Sequence, residues 1–295
     1  MATITPTIRL RRLGLALRHY REAAELNLED AAELLKRSAS SISRIEKGLH
    51  QVPVRDVEYF LGKYGITDQA IHDRLYELSR NGRKKGWWQK YADDLVPEMM
   101  DFIGLEGDAA SIECFELILI PGLLQIEEYA RTLIGVGPYA HDPERVDRLV
   151  DVRMRRQQIL TRQDPPRLWM IVGEAALRCQ VGGPGVMGAQ LRHLLEISRA
   201  AHVTLQVLPF TAGAFRGMTG AFKILEIGER GDLRVVSVDS LTEMSFHEEE
   251  TEVSVYAGTF DLLRAAALSE TDSRTLIESL LSEHDPTGSV QSRLA

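Results

Sequence analysis

Residues 27–48 read NLEDAAELLKRSASSISRIEKG, and this stretch decides how the first third of the chain folds. Asn27 is a preferred helix cap, Asp30 lies three positions on near the positive end of the following helix, and Leu28, Ala31, Ala32 and Leu35 recur at helical spacing. The pattern predicts a short helix ending near Lys36. Ser38 is the next capping residue. After it, Ile42 and Ile45 share one face of a second short helix, Ala39, Ser40, Ser43, Arg44 and Lys47 point elsewhere, and Gly48 stops it. Upstream, Leu13, Ala16, Leu17, Tyr20 and Ala24 form the stripe of an amphipathic helix. Downstream, residues 54–64 and 67–79 predict two more.

Two short helices joined by a tight turn, the second with small and basic residues on its open face, suit a DNA major groove. Small side chains allow close approach, and arginine forks onto guanine. Ordinary helices with Arg44 in solvent would show the same periodicity, so the residue types carry the reading further than the spacing does. The segment from Arg9 to Ile66 resembles the XRE (Cro/repressor-like) helix-turn-helix family. Its run SSISRIEKG, residues 40–48, looks like the recognition helix and its exit, and residues 54–64 look like the fourth helix. The resemblance implies that Ala39, Ser40, Ser43 and Arg44 face bases or phosphates; Ser38 and Lys47 complete the expected DNA-binding set. Glu46 is placed to orient a nearby arginine rather than to meet DNA. Two positions depart from the family pattern. Leu28 stands where glutamine commonly approaches phosphate. Lys36 stands where glycine is usual, which demands a left-handed lysine or a different turn. One small module seldom gives useful specificity, so a homodimer on paired half-sites of double-stranded DNA is expected.

The 295-residue chain carries a net charge of −8, which alone argues against a nucleic-acid partner. The charge is unevenly spread: residues 1–90 hold 17 Lys+Arg against 11 Asp+Glu, and residues 91–295 hold 18 against 32. A basic head on an acidic body predicts separate tasks for the two parts. No apolar run approaches membrane-spanning length, and the first residues lack the apolar core of a signal peptide, so no membrane partner and a cytoplasmic protein are expected. Cys114 and Cys179 have no paired spacing, which fits a reducing compartment without a structural disulfide.

The expected architecture is an all-α helix-turn-helix domain at residues 1–81, a basic hinge at 82–90, a mixed α/β (α+β) domain at 91–285 and a loose tail at 286–295. Gly82 and Gly86 flank the basic run Arg83-Lys84-Lys85. Trp87 and Trp88 open the next unit, one packing in a core while the other covers its edge. Strands are predicted at 111–120, 167–172, 203–209, 222–227 and 233–238. Helices are predicted at 125–134, 143–161, 186–199, 250–267 and 271–283.

No catalytic constellation emerges from the second domain, and a regulator rather than an enzyme is expected. The literal GxGxxG at residues 183–188 follows a helix-like EAALRCQ rather than a strand, and no acidic residue ends the next strand to hold a ribose, so it reads as a loop into a helix. The eight histidines are scattered, none four residues from another, and His247 beside Glu248-Glu249-Glu250 reads as a solvated acidic turn. No cofactor or metal is expected. The stretches WWQKY, PGLLQIEEYAR, RMRRQQILTRQDPPRLWMIVGEAALRCQVGGPGVM, VTLQVLPF and FDLLRAAALS resemble the C-terminal domain of actinobacterial WhiJ-like, antitoxin-like regulators. That resemblance implies transcriptional control, with a small partner protein encoded by an adjacent gene. The readings left open are a regulator receiving a partner or ligand signal, an antitoxin that neutralises its partner and autoregulates its operon, and an enzyme with a DNA-targeting head.

Overall fold

The computed structural model describes residues 7–82, 86–227, 233–240 and 243–284; the basic run at 83–85 and the tail at 286–295 lie outside them. The chain divides into two compact units, Met1–Gln89 and Lys90–Ala295. Among the described residues the first unit is all α: α1 (Ile8–Ala23), α2 (Leu28–Leu35), α3 (Ala39–Glu46), α4 (Val54–Lys63) and α5 (Gln69–Arg80). Leu13, Leu17, Ala31, Leu35, Ile42, Ile45, Val57, Phe60, Leu61 and Leu75 meet in one core. These are the stripes read from the sequence, turned inward. α1 starts a turn earlier than its stripe, because Thr7 caps it, accepting from the Leu10 amide at 3.3 Å and donating to the Gly82 carbonyl at 2.5 Å.

Four of these helices end alike. Leu26, Arg37, Leu49 and Ile66 donate their amides back to the carbonyls of Arg21, Ala32, Arg44 and Leu61, at 2.9 to 3.2 Å. The residue just before each donor is left-handed: Glu25, Lys36, Gly48 and Gly65. Such a bond satisfies a carbonyl orphaned by the helix end, but it requires positive φ, which costs a residue with a Cβ about 1 kcal/mol or more.

Residues Trp87–Tyr91 form a 3-10 turn at the division between the units. Trp88 is buried, and Trp87 meets it edge-on with ring centroids 6.0 Å apart.

The second unit carries α6 (Pro97–Asp108), β1 (Ala109–Glu116), α7 (Glu127–Gly135), α8 (Pro143–Arg156), β2 (Arg167–Gly173), α9 (Glu174–Arg178), α10 (Gly183–Ile197), β3 (Val203–Leu208), β4 (Phe222–Ile227), β5 (Leu233–Asp239), β6 (Met244–His247), α11 (Glu250–Ala266) and α12 (Glu270–His284). Its six described strands form one mixed sheet in the order β3-β2-β1-β4-β5-β6. β1 pairs in parallel with β2, which pairs in parallel with β3; β1 also pairs antiparallel with β4, and β5 and β6 continue antiparallel. One face packs Phe115, Ile171, Phe222, Ile224 and Val236 against Val253, Phe260 and Leu263 of α11. The other receives α6, where Arg156 of α8 clasps Glu106 through two hydrogen bonds of 2.7 and 2.8 Å, both side chains buried.

Three local expectations are corrected. The strand foreseen to Ile120 ends at Glu116, because Ile120 turns away: its amide donates to the Tyr129 hydroxyl and its carbonyl accepts from Gln125 Nε2, so side chains replace a neighbouring strand. The long helix at 143–161 stops at Arg156 and tightens into a 3-10 turn over Gln157–Leu160. His247 lies in β6, not in a solvated turn; its ring faces Tyr256 with centroids 5.4 Å apart.

Candidate nucleic-acid interface

The Asn27 side chain accepts from the Asp30 amide at 2.9 Å while Asp30 accepts from the Asn27 amide at 3.2 Å, so the start of α2 is closed on itself. α2 is closed by Lys36, whose φ of 54° and ψ of 45° make it a left-handed lysine, so of the two alternatives left by the missing glycine the chain takes this one rather than a different turn. Two residues later Ser38 turns the chain into α3, its hydroxyl accepting from the Ser41 amide at 3.2 Å and lying 3.1 Å from the Ser40 hydroxyl. The Ser38 side chain is thus occupied as a cap.

The six expected DNA-binding residues fall on α3 and its two ends. Ser38, Ser40, Arg44 and Lys47 are exposed, Ala39 and Ser43 are half-buried, and Ile42, Ile45 and Glu46 are buried on the opposite side. Helical period alone explains this sorting: the inward residues are three or four apart, and Ser40, Arg44 and Lys47 follow the same steps on the outside. Leu28 is half-buried at the start of α2 and offers no polar contact.

The inner end of α3 is held by two contacts that the sequence did not reveal. Glu46 binds Arg21 of α1 through two hydrogen bonds, 2.7 Å to Nε and 3.0 Å to Nη2, with both side chains 7% exposed, and Arg21 Nη1 donates to the Leu26 carbonyl at 2.6 Å. Glu46 does orient an arginine, but nothing in the residue types said which. The hydrogen bond to Glu46 raises the Arg21 guanidinium above its ordinary range, and burial beside this pair pushes the Tyr64 hydroxyl up to about 12. The second contact is a close approach. A Cβ on Gly14 of α1 would stand 2.5 Å from the Glu46 carbonyl oxygen, and one on Gly48 would stand 2.8 Å from the Arg11 nitrogen. Glycine at both positions lets α1 lie directly against the exit of α3. A third brace, Arg37, pairs with Asp56 at 2.6 Å over the face of Phe60. Besides Glu46 itself, the sequence signal for these contacts was a lone glycine inside an otherwise leucine- and arginine-rich helix.

Elsewhere, the glycines of the GxGxxG run lie in the first two turns of α10, which follows α9 rather than a strand, and the Gly183 amide donates to the Gln180 carbonyl at 3.2 Å. Among the described residues no three His, Cys, Asp or Glu side chains gather as a metal would require, and no helix is long and apolar enough to cross a membrane. Cys114 and Cys179 are both free thiols, and burial pushes the Cys114 thiol far above its ordinary range.

Comparison with known families matches the same two regions. A helix-turn-helix family model matches residues 12–75, and a model described as a domain of unknown function (DUF5753) matches residues 99–279. The first marks the head as a DNA-binding domain of a regulator. No curated protein and no solved structure matches the chain.

Proposed function

Because the chain belongs to the DUF5753 family and carries a helix-turn-helix head, we propose that it is a sequence-specific transcriptional regulator of the XRE type whose DUF5753 body decides when the head binds. In this reading α3 enters the major groove. Ser40, Ser43 and Arg44 face base edges with Ala39 allowing close approach, while Ser38 and Lys47 flank the phosphates. What supports it most is the sorting of α3: an outer face of small and basic side chains over an inner face locked to α1 by Arg21, Glu46 and Gly14. A recognition element needs this combination, since a helix that rocks cannot hold a forked arginine on guanine.

The body receives the signal. Its surplus of acidic residues suits a small basic partner protein encoded by an adjacent gene, as in WhiJ-like regulators, and the regulator acts as a homodimer on paired half-sites. Gel-shift titration against DNA selected from random duplexes tests the head. Arg44→Ala should weaken specific binding by about 1–3 kcal/mol and relax one base position, and Lys47→Ala should weaken all sequences alike and lower the salt slope by about one. Unchanged binding by Arg44→Ala would remove it from the groove.

A further inference from the structure

The carboxyl edge of the parallel strands gathers charges whose bonds do not balance. Glu116 ends β1 and Asp239 ends β5, which runs in the same direction, and Lys223 stands at the start of β4 between them. Alternation sets all three on the sheet face opposite Phe115, the face on which α6 lies. β1 is also where the strand order reverses: the chain leaves it for β2 on one side and returns as β4 on the other. Open sheets with helices on their faces take small ligands at such a reversal, beyond the carboxyl ends of the strands.

The cations there are Arg153, Arg156 and Lys223. Arg156 and Glu106 satisfy each other. Lys223 serves two carboxylates, Asp239 at 2.9 Å and Glu116 at 3.3 Å. Arg153 serves none: among the described residues no carboxylate pairs with it, and its hydrogen bond goes to the neutral Gln125 amide oxygen at 2.5 Å. It is held in place nonetheless. Gln125 is fixed by donating to the Ile120 carbonyl, and a Cβ on Gly122 would stand 3.2 Å from Arg153 Nη1. A guanidinium carries five donors, and keeping one half-buried without a bonded counter-charge is costly until something completes it. Ser237, directly across from Lys223 on β5, is fully buried, and its hydroxyl has no partner. Such a hydroxyl marks the same face as built around a polar group that the chain does not itself supply.

We infer that this edge binds a free α-amino acid, its carboxylate forked onto Arg153 and its ammonium set towards Glu116 and Asp239. Charge selects the class. Arg153 offers one positive charge without a bonded partner, and the two carboxylates that share Lys223 offer one surplus negative charge, so a zwitterion meets both and leaves the total unchanged. A phosphate would satisfy Arg153 but set a second negative charge against the same carboxylates, and an amine alone would leave Arg153 as it is. The Asp239 side chain is 45% exposed and that of Glu116 14%, so the ammonium end lies towards solvent. The planar guanidinium suits a carboxylate through two parallel bonds, with Gln125 taking one of the remaining donors. The site is independent of the DNA reading and of any partner protein.

Titration calorimetry of the full chain against each of the common L-amino acids tests it, with propionate, ethylamine and inorganic phosphate as probes of the separate charges. One amino acid, or a few of related side chain, should bind once per chain and raise the body's melting transition with concentration, and the three probes should bind at least about tenfold more weakly. Arg153→Met should raise the Kd about a hundredfold or more. Without ligand it should melt no lower than the wild type, because it removes a charge that no bonded carboxylate balances; an arginine serving structure alone would lose stability. Asp239→Asn, at the open end, should weaken the amino acid about tenfold and leave propionate no weaker. The site is overturned if no amino acid binds, if phosphate or propionate matches the best of them, or if Arg153→Met binds undiminished. A ligand-free Arg153→Met that melts well below the wild type overturns it too. DNA binding by the head, which Arg44→Ala tests, stands apart from all of these outcomes.

Discussion

Each unit buries one arginine–glutamate pair with two hydrogen bonds, Arg21 with Glu46 in the head and Arg156 with Glu106 in the body, and the two pairs sit in different company. In the head, Arg21 joins the end of α1 to the end of α3 and closes on the Leu26 carbonyl, so the pair fixes one helix against another, with the exposed Glu22 also reaching Arg21 Nη2 at 3.3 Å. In the body, Arg156 lies over Phe102 within a group that includes Arg153, Lys223 and Glu116, all beside the sheet. There Lys223 bonds to Glu116 and Asp239, Arg153 donates to Gln125, and burial with Arg156 nearby lowers Arg153 to about 10. The same bond thus aligns in one unit and neutralises in the other. Replacing a pair that only aligns with apolar residues should preserve the fold; breaking into a charge cluster should not.

The largest effect is expected from Glu106→Ala. It leaves the buried Arg156 without its hydrogen-bonded counter-charge, beside Arg153, and should cost the body about 3–5 kcal/mol. In calorimetry of the full chain the body's transition should fall while the head's stays in place. If both fall together, the two units are energetically one, and the comparison breaks.

Glu46→Ala comes next, costing the head about 3 kcal/mol and weakening DNA binding, because α3 loses its inner anchor. The paired change Arg21→Met with Glu46→Leu should recover most of the stability. If it recovers affinity too, the pair's orienting role is only packing. Gly14→Val forces a side chain towards the Glu46 carbonyl, and should cost about 1–3 kcal/mol with the loss confined to the head's melting transition. The smallest effect has the opposite sign. Lys36→Gly removes a left-handed lysine and should stabilise the head by about 0.5–1 kcal/mol after the added freedom of the unfolded chain, as read by urea denaturation.

The head was legible in sequence because its elements announce themselves locally. Asn27 and Ser38 cap, Gly48 stops, and the apolar stripes keep helical period, so even the awkward turn at Lys36 could be foreseen. α6 was not foreseen. Phe102, Ile103, Gly104, Leu105 and Glu106 are consecutively buried, and a segment buried all round shows no stripe. β6 escaped because Met244–His247 is a short edge strand with all four residues half-buried, which blurs alternation. The partners of Glu46 and Glu106 were illegible for a different reason. A charge that will be buried looks like any solvated charge until the fold supplies its counterpart, in these cases 25 and 50 residues away. Of the candidate interface, the outer side chains of α3 were readable from residue type and spacing. The contacts that hold α3 still were not.

The place of β1 in the sheet has a consequence in time. Ser111 pairs with Arg167 on one side, and Ile112 pairs with Leu225 on the other, so the central strand has neither neighbour until long after it is made and completes its ladder only when β4 arrives. The head's contacts, even the long one from Thr7 to Gly82, lie wholly within residues made before β1 and need no such wait. As the chain emerges during synthesis, the head reaches its folded form while the body is still an unpaired strand and loose helices. On the proposed function, a newborn molecule therefore acquires its grip on DNA before it acquires the means to be told when to let go.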